Sequence, residues 1–469
     1  MSFWTIVSSV EFAYLITLVV YIILEKRSPA ATLAWIFVLA LMPVVGFVVY
    51  FTIGPRRLHR KRLRHAKSRV LVREVAEATS SRKSIHEYPW KDQLVRLVTK
   101  SSGAPLMTCK DVHVFVSGKT CFEAILAAIK EAKHHIHLEY YIFEDDQTGG
   151  RIRDALVERA NAGVRVRLLV DAVGSPLGYR FRSSLHDAHI ELARFNPLMF
   201  GSLRPRINFR SHRKIVVVDG EVGFVGGINI GDEYNEDVTG KDAYRDTHIT
   251  LRGTAVRELQ LAFMEDWHFA TGTMLPREGL FAPDDPNEDE LVQIIASGPD
   301  QEWEAIQQLF FGAITQAEKR IEITTPYFVP DEPVFTALVI AAMRGVDVQI
   351  LVPKRSDSRI VTAAARSYFD DLLRAGAHIW EYPKMIHAKT MVVDHKMGIV
   401  GSANMDNRSF RLNFEIGAAF YHKEAVERLE HQFGVDLDTA HRVTSRARHK
   451  LSIFSRLVEA SARLLSPLL

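Results

Sequence analysis

Two stretches of this chain carry the same reactive side chains at the same spacing. The first is Ser211-His212-Arg213-Lys214-Ile215-Val216-Val217-Val218-Asp219 and the second is Ile386-His387-Ala388-Lys389-Thr390-Met391-Val392-Val393-Asp394, so both read H-x-K-x4-D. Each is followed, after the same interval, by a small-residue turn ending in an amide: Gly226-Gly227-Ile228-Asn229 and Gly401-Ser402-Ala403-Asn404. These residue types suit a phosphodiester, which is anionic and resists attack. Its displacement needs positive charge at the non-bridging oxygens, a nucleophile, and a proton donor for the leaving oxygen. One copy supplies part of that set. Two copies brought together supply His212 and His387, Lys214 and Lys389, and the donors Asn229, Ser402 and Asn404. One imidazole can attack phosphorus while the other protonates the departing alkoxide and then deprotonates an incoming hydroxyl. A phosphohistidine intermediate divides one difficult displacement into two easier ones. With ammonium groups in the charge-neutralising positions no metal or other cofactor is required, and the same lysines disfavour a His/Asp cation site.

The elements that must position these groups are strands. The β-branched run after each His predicts alternating side chains, which puts His212 and Lys214 on one side of their strand, and His387 and Lys389 likewise. Asp219 and Asp394 complete the motifs at the opposite parity, so they point away from the bound group or sit past the strand end, in a supporting role. The repeat extends beyond the motifs. Ala132-Lys133-His134-His135-Ile136-His137-Leu138-Glu139-Tyr140-Tyr141-Ile142-Phe143 matches Ala317-Glu318-Lys319-Arg320-Ile321-Glu322-Ile323-Thr324-Thr325-Pro326-Tyr327-Phe328. Further on, Ala162-Gly163-Val164 through Val170 matches Arg344-Gly345-Val346 through Val352, a helix-ending glycine followed by an alternating strand. The offset between the two sets is nearly constant, which predicts an α/β fold built by duplication of one unit. The halves are expected at 106–270 and 301–445, joined by a Gly-, Pro- and acid-rich linker at 271–300 with no long regular element.

The paired motifs with matched tails resemble the phospholipase D superfamily, whose members carry two such motifs in two halves of a pseudo-dimeric fold. That resemblance implies an acidic residue downstream of each motif that orients the catalytic His. The matching positions are Asp246, in Tyr244-Arg245-Asp246-Thr247, and Glu415, in Asn413-Phe414-Glu415-Ile416. It further implies His212 as nucleophile and His387 as general acid and base, an assignment the residues themselves leave open. The first motif departs from the pattern in having Gly227 where the second has Ser402, which hints that the two halves play different parts.

Upstream of the halves the chain changes character. Phe3–Leu24 is largely apolar and Thr32–Gly54 carries no charge, while a bilayer core needs about 20 apolar residues. Residues 1–54 therefore predict a helical hairpin, either spanning or re-entrant, turned at Glu25-Lys26-Arg27-Ser28-Pro29-Ala30-Ala31; the other reading is a pair of core helices. Met1-Ser2-Phe3-Trp4 lacks the basic start of a cleaved signal. A basic connector follows at 55–105, with Arg56, Arg57, Arg60, Lys61, Arg62, Arg64, Lys67 and Arg69. By the positive-inside rule that run sets the catalytic body on the cytoplasmic side, and it attracts anionic head groups. At the other end, residues 446–469 predict a basic amphipathic helix, which can lie on a membrane or pack on its own body.

The hairpin with Ala34-Trp35-Ile36 and Leu41-Met42-Pro43-Val44-Val45-Gly46, the basic stretch, the two halves and the ending Leu464-Leu465-Ser466-Pro467-Leu468-Leu469 together resemble the bacterial cardiolipin synthase family over essentially the whole chain. The resemblance implies a multi-pass enzyme of the bacterial cytoplasmic (inner) membrane that joins two phosphatidylglycerol molecules into cardiolipin and releases glycerol. Its partners would be anionic phospholipids and the membrane, with homo-oligomerisation left open. One phosphodiester replaces another, so no nucleotide is needed, consistent with a chain that has no P-loop or glycine-rich nucleotide motif. The rival within enzymes is a membrane-bound phospholipase D that passes the phosphatidyl group to water. A net charge of only +3 on 469 residues argues against a nuclease or other nucleic-acid partner, and intact His, Lys and Asp in both motifs argue against a non-catalytic lipid-binding scaffold. Cys109 and Cys121, the two cysteines present, have neither metal-ligand spacing nor the numbers for a disulfide framework.

Overall fold

The computed structural model describes residues 14, 16–24, 29–42, 65–74, 92–196, 209–276, 279–283, 285 and 287–466. They fall into two units, a small one within residues 14–42 and a large one within residues 65–466. In the small unit residues 16–24 are helical and Pro29–Leu41 forms a second helix. Pro29 stands at its first position, where a missing N–H leaves no bond unmade. Leu18, Ile22 and Leu39 are buried together with Tyr14, Tyr21 and Trp35 packed against them, so the two helices share an apolar contact. Among the described residues no helix is long and apolar enough to cross a membrane. The rest of the expected 1–54 hairpin, and residues 55–64 of the basic run, lie outside the described residues.

The strands of the large unit are, in chain order, β1 (Met107–Cys109), β2 (Asp111–Phe115), β3 (His135–Tyr140), β4 (Arg165–Asp171), β5 (Glu191–Phe195), β6 (Lys214–Val218), β7 (Val222–Gly226) and β8 (His248–Arg252). They continue with β9 (Glu290–Ser297), β10 (Arg320–Thr324), β11 (Phe328–Val329), β12 (Asp347–Pro353), β13 (His378–Tyr382), β14 (Thr390–Val393), β15 (Met397–Gly401), β16 (Met405–Asp406), β17 (Glu415–Phe420) and β18 (His441–Arg442). Seven form one sheet in the order β2-β8-β7-β6-β3-β4-β5, and nine form another in the order β1-β9-β17-β15-β14-β10-β12-β13-β18. The run β8-β7-β6-β3-β4-β5 repeats as β17-β15-β14-β10-β12-β13. In both, the last three strands are parallel and the others antiparallel. The fold is mixed α/β, and its topology is the duplication that the near-constant offset predicts.

Hydrophobic alternation explains the layering. Along β6, Ile215 and Val217 face a core shared by both sheets, with Val225 and Ile249 from the first and Val392, Val400, Ile416 and Ala418 from the second. Val216 and Val218 face the other way, into a core with Ile125 and Ile129 of helix Gly118–Glu131. In β14, Val392 joins the shared core while Met391 and Val393 turn toward the second half's helices. The two sheets thus pack face to face with helices outside, and strands buried on both faces read as continuous apolar runs.

Four features differ from the sequence reading. The expected linker 271–300 contains β9, an eight-residue strand, because Leu291-Val292-Gln293-Ile294-Ile295 alternates into the cores on both sides; the flanking acids obscure it. β1, from the start of the first half, pairs with β9 and so belongs to the second half's sheet. The connector helix Asp92–Ser102 buries Leu94 and Val98 in the second half's core. The expected helix at 446–469 is two helices, Ser445–His449 and Ile453–Arg463.

Candidate active site

The motif strands begin later than the β-branched runs suggest, at Lys214 and Thr390. Just before them, each histidine-bearing segment leaves its own sheet and bonds to the other half. His212 N–H donates to Phe414 O at 2.8 Å, and Phe414 N–H donates to Arg210 O at 2.9 Å. Symmetrically, His387 N–H donates to Arg245 O at 2.7 Å, and Arg245 N–H to Met385 O at 3.3 Å. These bridges fix the side chains next to them. Glu415 follows Phe414, and its Oε2 lies 3.1 Å from His212 Nδ1. Asp246 follows Arg245, and its Oδ2 lies 2.6 Å from His387 Nδ1. The pairing is therefore crossed, with each histidine held by the carboxylate of the opposite half.

Electrostatics assign the protons. Burial alone would raise the Asp246 carboxyl, but the charge of Lys389 and the charge and hydrogen bond of His387 outweigh it and hold Asp246 below the usual carboxylate range. Glu415 is likewise held low against burial by His212, Lys214 and Ser402. Ionised carboxylates only accept, so each Nδ1 carries its proton toward its acid, which leaves each Nε2 as the reactive nitrogen. Burial, followed by the Lys389 charge, pushes His387 down to about 4. Burial and the neighbouring lysines also lower His212, against the pull of Glu415. Both imidazoles are thus neutral near pH 7.

Lys214 and Lys389 project to the same side as their histidines. Lys214 Nζ donates to His212 O at 2.7 Å; Lys389 Nζ donates to His387 O and lies 2.8 Å from His387 Nδ1. Burial drives Lys214 down to about 7, helped by the Lys389 charge, and burial drives Lys389 to about 8. Glu415 and Asp246 pull both ammonium groups back up without offsetting their burial.

The amide-ending turns divide their labour. Asn229 and Asn404 line the cavity described below, and Asn229 Nδ2 donates to Tyr234 Oη at 2.7 Å. Ser402 does not face that cavity; its Oγ donates to Glu415 Oε2 at 2.5 Å and accepts from Ile416 N–H. Gly227 occupies the matching place in the first half, and there a Cβ would come within 2.2 Å of Asp246 Oδ1. The Gly/Ser difference follows from the acids, since the shorter Asp246 draws close enough to exclude any side chain. Asp219 and Asp394 stand at the far ends of β6 and β14, both at positive φ. Asp219 accepts from the N–H groups of Lys133, His134 and His135, and Asp394 from those of Glu318, Lys319 and Arg320. Each pins its motif strand to the start of the neighbouring strand, away from the histidines.

His212 and His387 open on one cavity of about 660 Å³. Its wall includes residues with no signal in the motif spacing: Tyr141, Tyr234, Tyr244, Tyr327, Arg210 and Arg408. Tyr141 packs edge-on against His212 at 4.9 Å between ring centres, and Tyr234 against His387 at 5.5 Å. Behind His212 alone lies a buried ionic cluster. Arg213 donates to Asp266 Oδ2 at 2.6 Å and to Glu415 O at 3.2 Å, while Ser211 Oγ donates to Glu139 at 2.5 Å. His65, on the helix at 65–74, reaches Asp266 at 2.5 Å and Asp300 at 3.1 Å. Burial opposes its protonation, but Asp300 and Asp266 together raise it to about 9. The second half has Thr324, Ile386 and Ala388 in place of Glu139, Ser211 and Arg213, and that contrast was the available signal. Among the described residues no cluster of His, Cys, Asp and Glu could hold a metal ion.

Comparison with known proteins agrees with this architecture. The family model described as cardiolipin synthase, PLD-like domain, matches residues 125–267 and 310–437, and one described as phospholipase D-nuclease N-terminal matches residues 13–55. The chain is 43% identical over 464 residues to a cardiolipin synthase of Alkalihalophilus pseudofirmus, covering 96% of this chain and 91% of that one. It is 42% identical over 487 residues to a cardiolipin synthase of Halalkalibacterium halodurans, covering 100% of this chain and 96% of that one. Among solved structures, the phosphatidylserine synthase of Haemophilus influenzae superposes with a TM-score of 0.60 at 14% identity, covering 80% of this chain and all of that one; at that identity the likeness concerns the fold. Duplicated halves, paired motifs and near full-length identity converge: the chain belongs to the cardiolipin synthase family of the phospholipase D superfamily and is a phosphatidyltransferase of that type.

Proposed function

We propose that the chain moves a phosphatidyl group from one phosphatidylglycerol to a second, giving cardiolipin and free glycerol through a phosphohistidine on His212. The observation that carries this reading is the crossed pairing, which holds two neutral imidazoles by Nδ1 and turns both toward one cavity. In the first step His212 Nε2 attacks phosphorus, a P–N bond forms, and the bond to the glycerol oxygen breaks. His387 gives that oxygen its proton; the phosphodiester's own negative charge raises the His387 pKa on binding, so the imidazole arrives protonated. In the second step the hydroxyl of another phosphatidylglycerol loses its proton to His387 and attacks phosphorus, and the P–N bond breaks. Lys214 and Lys389 neutralise the non-bridging oxygens, and Asn229 and Asn404 donate to them from the cavity wall. Asp246 and Glu415 orient the imidazoles and stabilise their charged forms. Ser402 steadies Glu415, and Asp219 and Asp394 set the position of the motif strands.

The alternative product is phosphatidic acid, formed if water resolves the intermediate. Chemistry at the histidine does not choose between the two acceptors; exclusion of water and placement of a second lipid's hydroxyl do. A body held at the bilayer by the 1–54 hairpin favours the lipid acceptor, and the basic run at Arg56–Arg69 favours the cytoplasmic face of the inner membrane. The test supplies phosphatidylglycerol alone and follows lipid products and glycerol in time. Cardiolipin and glycerol should rise together, and excess glycerol should reverse the reaction because the bonds made and broken are alike. Phosphatidic acid as the main product would replace this reading with a hydrolase.

A further inference from the structure

The last described helix, Ile453–Arg463, is mounted with its polar side inward. Ordinary amphipathic helices bury their apolar stripe against the body. Here Glu459 and Ala462 are the buried positions, 8% and 7% exposed, whereas Ile453, Phe454 and Leu457 are 79%, 72% and 59% exposed, with Val458 and Leu464 beside them. The inward side is tied by ionic contacts. Arg448 bridges Glu459, at 2.7 Å and 3.0 Å, to Asp370, at 2.8 Å and 3.0 Å. Arg463 lies over the Tyr368 ring at 4.5 Å. At 3.6 residues per turn the exposed apolar residues share one arc of the helix, opposite Ser455, Glu459 and Ala462. The arrangement is therefore built rather than a frayed end.

Its surroundings say what covers that arc. Between this helix and helix Arg359–Arg366 runs a groove of about 640 Å³, lined among others by Lys354, Arg355, Arg359, Phe454 and Val458. Lys354, Arg355 and Arg359 are exposed and have no carboxylate partner among the described residues. Asp357 lines both this groove and the cavity that holds His212 and His387. An apolar ridge flanked by unpaired cations matches an interface in which acyl chains meet anionic head groups.

We propose that the outer face of helix Ile453–Arg463, with Lys354, Arg355 and Arg359, docks on an anionic lipid surface and sets the mouth of the catalytic cavity against it. The inference rests on a phospholipid substrate, as read above, but the docking can be measured without turnover. Cys109 and Cys121 are both buried, so the full chain with Leu457→Cys takes an environment-sensitive fluorophore at one place. In vesicles of phosphatidylcholine mixed with phosphatidylglycerol the label should shift to the blue and resist an aqueous iodide quencher several-fold better than in phosphatidylcholine alone. Adding Phe454→Ser to the labelled chain should abolish the shift, and Phe454→Leu should keep it, which separates lost apolarity from lost folding. A label equally quenched in both vesicle types overturns the proposal. Protection that needs no lipid and grows with protein concentration also overturns it, in favour of a second copy of the chain. Protection without cardiolipin formation would leave the docking face intact and remove only the assigned reaction.

Discussion

Asp246 of the first half hydrogen-bonds His387 of the second at 2.6 Å, so an acid that follows the first motif in sequence serves the other motif's histidine. Replacing it with the neutral amide removes the charge that fixes the Nδ1–H tautomer. Asp246→Asn should lower turnover roughly 10²- to 10⁴-fold by analogy with triad carboxylates. With ring-labelled histidine, the nitrogen resonance that moves in Asp246→Asn should be that of His387, and in Glu415→Gln that of His212. A shift of His212 in the Asp246 variant would contradict the crossed arrangement.

The two histidines are proposed to act on one phosphorus atom. His212→Ala and His387→Ala should then each cost at least about 10³-fold in turnover, since groups that act as a unit fail together. Labelled phosphorus from the lipid, trapped by a denaturing alkaline quench in which the P–N bond survives, should sit on His212. Its appearance on His387 would exchange the two roles, and residual activity within tenfold of the parent in either variant would exclude a shared site.

Gly227 and Ser402 occupy matched positions but should respond differently. Gly227→Ala sets a methyl where Asp246 Oδ1 now lies, 2.2 Å from the added carbon, so the carboxylate must leave His387. Ser402→Ala removes one hydrogen bond to Glu415, while His212 keeps the same carboxylate and Asn413 still donates to its other oxygen at 3.1 Å. A lost bond to a charged group is worth about 1.5–3 kcal/mol, and turnover should fall less in Ser402→Ala than in Gly227→Ala. The comparison needs only parallel rate measurements on chains with equal melting temperatures.

His65 gives the attachment of the 65–74 helix a pH dependence of definite sign. Its folded pKa of about 9 lies above the unfolded value of about 6.5, so its stabilising contribution is complete below about pH 6.5. That contribution disappears as pH rises through about 9. Proteolytic nicking near the helix should increase across that interval, and His65→Gln should nick readily at pH 6.5 with little further change. A parent chain equally resistant at both ends of the interval would show that the Asp266 and Asp300 contacts do not hold the helix.

Much of this was readable because duplication repeats its signals. The H-x-K spacing, the amide-ending turns and the helix-ending Gly163 and Gly345 stood at matched positions, Asp246 and Glu415 came from the superfamily resemblance, and alternation alone sent Asp219 and Asp394 away from the site. The crossed pairing was not readable. It depends on Ser211 bridging to Phe414 and Arg245 to Ile386 across the pseudo-dimer, contacts no local pattern encodes. β9 was hidden by the acids before it and by its place between halves. The cluster of His65, Glu139, Arg213, Asp266 and Asp300 was missed because charged residues on strands and amphipathic helices ordinarily read as solvated, and only the folded chain shows them buried.

Crossing also fixes when the enzyme can first act. A ribosome delivers His212 about two hundred residues ahead of the carboxylate that holds it, and Asp246 well ahead of His387, so nothing released early contains an oriented imidazole. Separating the partners this far keeps a nascent chain chemically silent until the strand carrying Glu415 has emerged.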